Sequence, residues 1–133
     1  LFSTRKSSIY IPPVAVNGPG IYSLGKAKVI IGETDVVPNS FVKGIEYVDK
    51  EKWPLETILR TRLSGDMFRQ INGGQKKLKK LFIDKKIDKS IRDTTPLIAA
   101  GNEVLYIAGI GISENVKVTD KTKRVYAIRC LRE

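Results

Sequence analysis

Lysine and arginine crowd one stretch of this chain in a pattern suited to phosphate. Lys76, Lys77, Lys79, Lys80, Lys85, Lys86, Lys89 and Arg92 fall between positions 75 and 92, with only Asp84 and Asp88 against them. Eight cations against two carboxylates leave a local charge of +6. Arg60, Arg62 and Arg69 lie just upstream. Ammonium groups hold phosphate oxygens as point charges, and guanidinium groups grip them in pairs. The chemistry on offer is binding of a polyanion, whether RNA, DNA or an anionic membrane face. The competing reading is a solvated, lysine-rich face that serves solubility. The charge is local as well as strong. The chain carries +10 in all, and residues 60–133 hold 17 basic against 8 acidic residues, or +9 of it.

The remaining reactive side chains are few. There is no histidine, which excludes Ser-His-Asp and Cys-His nucleophile systems and any His-bound metal. The single cysteine, Cys130, forms no internal disulfide and no multi-cysteine zinc site. It sits among strand-like residues and reads as a small hydrophobe. Gly109-x-Gly111 lacks the third glycine of a dinucleotide loop, since Glu114 stands there. Gly73-Gly74 before Lys76 lacks the Gly-Lys-Ser/Thr ending of a phosphate loop and reads as a plain turn. Asp66, Asp84, Asp88 and Asp93 lie scattered among cations, as salt-bridge partners and caps rather than an acid/base pair. Tyr10, Tyr22, Tyr47, Tyr106 and Tyr126 fall in strand-like segments and form no stacking platform. Lysines without such a platform favour reading backbone shape, as on a duplex stem.

The elements that must position these groups follow from periodicity. The length of 133 residues suits one domain. No apolar run reaches the roughly 18 residues of a membrane span, and no signal peptide is seen at the start. The chain begins Leu1-Phe2-Ser3 without an initiator methionine, which reads as a domain cut from a longer chain. Strands are expected at 8–15, at 21–24 and 27–31 around Gly25, at 45–48, and at 57–63. In the last of these, alternation puts Arg60 and Arg62 on one face. Residues 32–40 read as a loop. Asp49 is placed to cap a helical turn that Pro54 ends. From 75 to 86 the period changes: Leu78, Leu81 and Phe82 follow i, i+3, i+4, the mark of a helix with one buried stripe. That helix is expected to start near Gly74, where free backbone N–H groups would help hold an anion. Asp88 is placed to cap a second short helix to Arg92. A hairpin across Gly101-Asn102 and strands at 116–118 and 124–131 complete an α+β pattern.

The second half also resembles a known family. The residues are Arg60-Thr61-Arg62-Leu63-Ser64-Gly65-Asp66-Met67-Phe68, then the run from Gly74 through Lys76-Lys77-Leu78-Lys79-Lys80 to Asp84-Lys85-Lys86-Ile87. Arg92-Asp93-x-x-Pro96-Leu97, Gly109-Ile110-Gly111-Ile112-Ser113 and Lys117-Val118-Thr119 follow in order. Together they look like the C-terminal domain of bacterial tRNA(Ile)-lysidine synthetase over about residues 57–128. Asp88 departs from the pattern, since family members often carry proline there.

The resemblance implies a layered α+β fold of mostly antiparallel strands with one or two short helices, similar to a module of the phenylalanyl-tRNA synthetase β subunit. It implies one domain over residues 1–133, with the catalytic N-terminal domain elsewhere. The full enzyme would be a cytoplasmic ligase that uses ATP, with magnesium, to attach lysine to the wobble cytidine of isoleucine tRNA. ATP and lysine would bind the catalytic domain, whose Ser-Gly-Gly-x-Asp-Ser loop does not occur here. This chain would then bind tRNA(Ile), including its acceptor stem, with no cofactor, metal or membrane of its own. Lys76, Lys77, Lys79 and Lys80 are expected to touch the phosphate backbone, joined by Lys85 and Lys86. Arg60, Arg62, Arg69 and Arg92 are the candidates for bidentate contacts. A structural docking module, a homodimer or a general duplex-RNA binder are the alternatives.

Overall fold

The computed structural model describes residues 11–35 and 42–132. In chain order its strands are β1 (Val14–Val16), β2 (Gly20–Leu24), β3 (Ala27–Thr34), β4 (Ile45–Asp49), β5 (Thr57–Arg60), β6 (Met67–Gln70) and β7 (Gly74–Lys77). Helices α1 (Leu78–Asp84) and α2 (Lys89–Arg92) follow, then β8 (Leu97–Ala100), β9 (Glu103–Ile107), β10 (Gly111–Ile112) and β11 (Val125–Leu131). The strands form two sheets. The larger has the order β1-β5-β8-β9-β6-β7, with β10 beside β9, and the smaller has the order β2-β3-β11-β4. Pairing is antiparallel throughout except between β6 and β9. The α+β expectation therefore holds. No helix among the described residues is long and apolar enough to cross a membrane.

Two apolar clusters make three layers. One joins the sheets through Val29, Ile31, Val48 and Ile128 on the smaller and Leu59, Ile98 and Tyr106 on the larger. The other packs Leu78, Leu81 and Phe82 of α1 against Phe68, Leu97, Ala99, Val104 and Ile107. Strand alternation sends Leu97 and Ala99 to the helix and Ile98 to the other sheet. A register shift between Ile98 and Ala99 leaves Leu105 as an extra residue, so Leu105 and Tyr106 both face the second sheet. Burial raises the Tyr106 hydroxyl well above its ordinary value. Glu33 on β3 takes Lys50 and Arg124, and their hydrogen bonds hold its carboxyl below the usual range.

The hairpins across Gly25 and across Gly101-Asn102 form as read. Asp49 caps the short 3-10 turn Lys50–Lys52 by accepting from the Glu51 N–H, and it also accepts from the Thr122 hydroxyl at 2.8 Å. Several boundaries differ. Of the strand read at 8–15, residues 8–10 lie outside the described residues, and β1 begins only at Val14. β3 runs to Thr34 into the expected loop, whose residues 36–40 are also outside the described set. The strand read at 57–63 ends at Arg60. Residues 116–118 form no strand: the 3-10 turn Glu114–Val116 occupies the start, and Lys117 meets β4 through a single bridge.

The largest correction concerns the helix. Gly74–Lys77 is a strand, paired with β6 from Gln70↔Gly74 to Met67↔Lys77, and the helix starts only at Leu78. The β6–β7 hairpin supplies backbone partners that an isolated helical turn could not. The expected anion site at a helix N-terminus near Gly74 therefore does not exist. The buried stripe of Leu78, Leu81 and Phe82 stands as read.

The end of α1 explains a lysine. The Ile87 N–H donates to the Phe82 carbonyl and the Lys86 N–H to the Ile83 carbonyl, a Schellman motif with Ile87 packed on the helix cluster. Lys86 sits at φ 56, the left-handed position where glycine is usual. Left-handed backbone costs an L-residue roughly 1–2 kcal/mol, and glycine's extra chain entropy offsets part of that. Lys86→Gly should therefore raise stability by about 0.5–1 kcal/mol in urea unfolding. A loss of stability would show that the lysine side chain stabilises this turn.

Candidate nucleic-acid interface

Arg60 is not on the surface. It ends β5 with 9% of its area exposed and forms a bidentate pair with Asp66, Nη1 to Oδ2 at 2.9 Å and Nη2 to Oδ1 at 2.8 Å. Its other bonds go to the carbonyls of Thr61 and Gly101. Asp66 also accepts from the Leu63 N–H at 2.8 Å, and its carbonyl accepts from the Leu78 N–H at the start of α1. Arg60, expected as a phosphate contact, is instead a buried tie: four of its five guanidinium N–H groups hold β5, the 61–66 loop and the β8–β9 turn together. The alternation argument failed because the strand stops at Arg60. Arg60 and Arg62 do not share a strand face.

The other candidates divide by partner. Arg62 donates through Nε and Nη2 to Asp93 Oδ1 at 3.1 and 2.8 Å, and its guanidinium carbon lies 5.8 Å from the Phe82 ring centre. Lys76 on β7 pairs with Asp84 at 2.7 Å, and that bond holds the Asp84 carboxyl below its usual range. Arg92 donates through Nε to the Ile87 carbonyl at 2.6 Å. By contrast, Arg69, Lys77, Lys79, Lys80, Lys85 and Lys86 have no ion pair among the described residues. All but the half-buried Arg69 are exposed. The carboxylates are salt-bridge partners, as expected of Asp66, Asp84 and Asp93. Asp88 stands at the N-cap of α2, but its side chain accepts no backbone N–H there, only the Ser90 hydroxyl.

The free cations are held where α1 and the 61–66 loop meet. A groove of about 570 Å³ opens there, lined by Arg62, Lys77 and Lys79 together with Leu63, Ser64 and Met67. Lys80 lies on α1 and Lys86 just beyond it, while Lys85 lines a separate cleft with Glu46 and Phe68. Arg69 lies apart, in a smaller cleft with Gln75 and Asn102. Sequence reasoning missed Leu63, Ser64 and Met67. Its only signal there was the Gly65-Asp66 turn, which gave no hint that a buried pair folds the loop toward the lysines. Chemically the surface offers donors and positive charge without a nucleophile or an acid/base pair, which suits holding a polyanion.

The chain is also similar to known proteins. Residues 57–130 match the TilS substrate C-terminal domain. A tRNA(Ile)-lysidine synthase of Caldanaerobacter subterraneus is 35% identical over 131 residues, 96% of this chain and 27% of that protein. One of Clostridium tetani is 43% identical over 86 residues, 64% of this chain and 18% of that protein. This chain thus spans about a quarter or less of the length of these relatives. Among solved structures, one described as the crystal structure of TILS C-terminal domain superposes with a TM-score of 0.75 at 24% identity, covering 91% of this chain and 98% of that one.

The two aspartate pairs should differ sharply in worth. Asp66 is almost fully buried, at 1% side-chain exposure, whereas Asp93 is 56% exposed. Asp66→Asn should cost roughly 3–5 kcal/mol in urea unfolding, because it strands a buried guanidinium. Asp93→Asn should cost under about 1 kcal/mol. Equal losses would contradict the assignment of Arg60–Asp66 as the anchoring pair.

Proposed function

The chain belongs to the TilS substrate C-terminal domain family, and from that premise we propose that it is the part of a tRNA(Ile)-lysidine synthase that holds the tRNA. The observation that carries this reading is the sorting of its cations. Carboxylates or backbone carbonyls engage Arg60, Arg62, Lys76 and Arg92, while Lys77, Lys79, Lys80, Lys85 and Lys86 are exposed and have no ion pair among the described residues. Closely spaced lysines outnumber the one acid in this segment, Asp84, which Lys76 already engages, and their mutual repulsion is relieved by a polyanion. Such contacts position an RNA and do not read its sequence. The whole ligase would use ATP with magnesium to join lysine to the wobble cytidine of tRNA(Ile) in the cytoplasm. The acids near the groove do not suit an ATP-bound cation, since Arg60 and Arg62 hold Asp66 and Asp93. Catalysis is therefore assigned to another domain, and this chain's work is to bind and orient.

A docking role has its own surface. On the outer face of the smaller sheet, Ile21, Ile30, Arg129 and Ile45 are in register across four strands, and Ile21 is 68% exposed. That face is suited to a neighbouring protein surface. It is formed by other strands than the lysine surface, so the two roles are compatible.

The test is a titration of this chain with fluorescent tRNA across a salt series. The logarithm of affinity should fall linearly with the logarithm of salt, and each phosphate-bound lysine replaced by alanine should lower the slope by about 1. Lys77→Ala, Lys79→Ala and Lys80→Ala combined should weaken binding to every tRNA alike, with the fold intact. Lys76→Ala should do less, since Asp84 already occupies Lys76. Unchanged affinity in the triple variant would overturn this assignment.

A further inference from the structure

The groove beside the lysine surface has features that phosphate binding alone does not require. Leu63 is 61% exposed at its edge, a large apolar side chain among cations. Half-buried Met67 lines it as well. Exposed apolar surface rimmed by charge marks a binding site, and methionine adapts to flat partners. Arg62 adds a held plane: Asp93 fixes two of its nitrogens, and the Phe82 ring lies beside its guanidinium. Guanidinium planes are among the surfaces on which proteins stack unpaired bases. The acids near the groove are spoken for, Asp66 by Arg60 and the Leu63 N–H, and Asp93 by Arg62. The volume of about 570 Å³ lies within the roughly 300–1,000 Å³ of small-ligand sites.

We propose that this groove admits one unpaired nucleotide of the bound RNA, with its phosphate at Lys77 and Lys79 and its base against Arg62, Leu63 and Met67. The exposed Ser64 hydroxyl, without a hydrogen-bond partner among the described residues, would meet the ribose. The inference rests on the chain being a tRNA-holding domain and adds a ligand that a duplex alone does not supply. It makes the domain a reader of where a helix ends, not only of helix shape.

The test compares three labelled RNAs with this chain at fixed salt: a blunt stem, the same stem with a short single-stranded extension, and that stem with an abasic extension of equal charge. The base-bearing extension should tighten binding roughly fivefold or more over both others, the low end of what one stacked base contributes. Leu63→Ala changes no charge and should abolish that advantage, so that the base-bearing and abasic extensions then bind alike. If the blunt stem binds and the two extensions gain equally or not at all, the groove does not take a base, and the lysine surface still stands. If no RNA binds even at low salt, the tRNA-holding reading fails, and this inference falls with it.

Discussion

A buried guanidinium–carboxylate pair anchors the functional side of this molecule. Arg60 and Asp66 meet through two short bonds in the interior, and four pieces of chain meet on them. They are the end of β5, the 61–66 loop through the Leu63 amide, the β8–β9 turn through Gly101, and the first turn of α1 through the Asp66 carbonyl. Such a pair adds little net stability, because desolvating both charges offsets their attraction. Its value lies in register. Asp66 bonds both the loop carrying Arg62, Leu63 and Ser64 and the start of α1, and these face each other across the groove with Lys77 and Lys79.

The helix layer converts a sequence pattern into a charged surface. Leu78, Leu81 and Phe82 are buried against the larger sheet, and the intervening Lys79 and Lys80 are turned to solvent. The chain then spends its acids selectively. Asp84 takes Lys76 and Asp93 takes Arg62, both half-buried cations, and the outer lysines have no ion pair among the described residues. The resulting field is local, which explains how a chain of +10 remains an ordinary folded domain with a well-formed core.

Much of this was legible in the sequence. The buried helical stripe, the Gly25 and Gly101-Asn102 hairpins, the Asp49 cap and the pairing of aspartates with cations all follow from local chemistry, so local rules found them. What was missed depends on distant partners. Lys76 and Lys77 read as helical because the lysine run continues the 78–82 period, but β6 offers them strand pairing, and nothing in Met67–Gln70 advertises a strand. Arg60 read as a phosphate contact because alternation put it on one face with Arg62. Its burial depends on Asp66 folding back six residues later, which no periodicity reveals. The groove was invisible for the same reason: it is made by a loop whose shape that pair dictates.

The central claim is that tRNA sits on the free lysines of residues 77–86 and on the adjoining loop, held in place by the buried pair. Amide chemical-shift mapping of the isotope-labelled chain during titration with tRNA tests it most directly. The account predicts shifts concentrated in 62–67 and 77–86, with the β2-β3-β11-β4 sheet unmoved. Shifts centred on the outer face of that sheet, with the lysine segment silent, would contradict it.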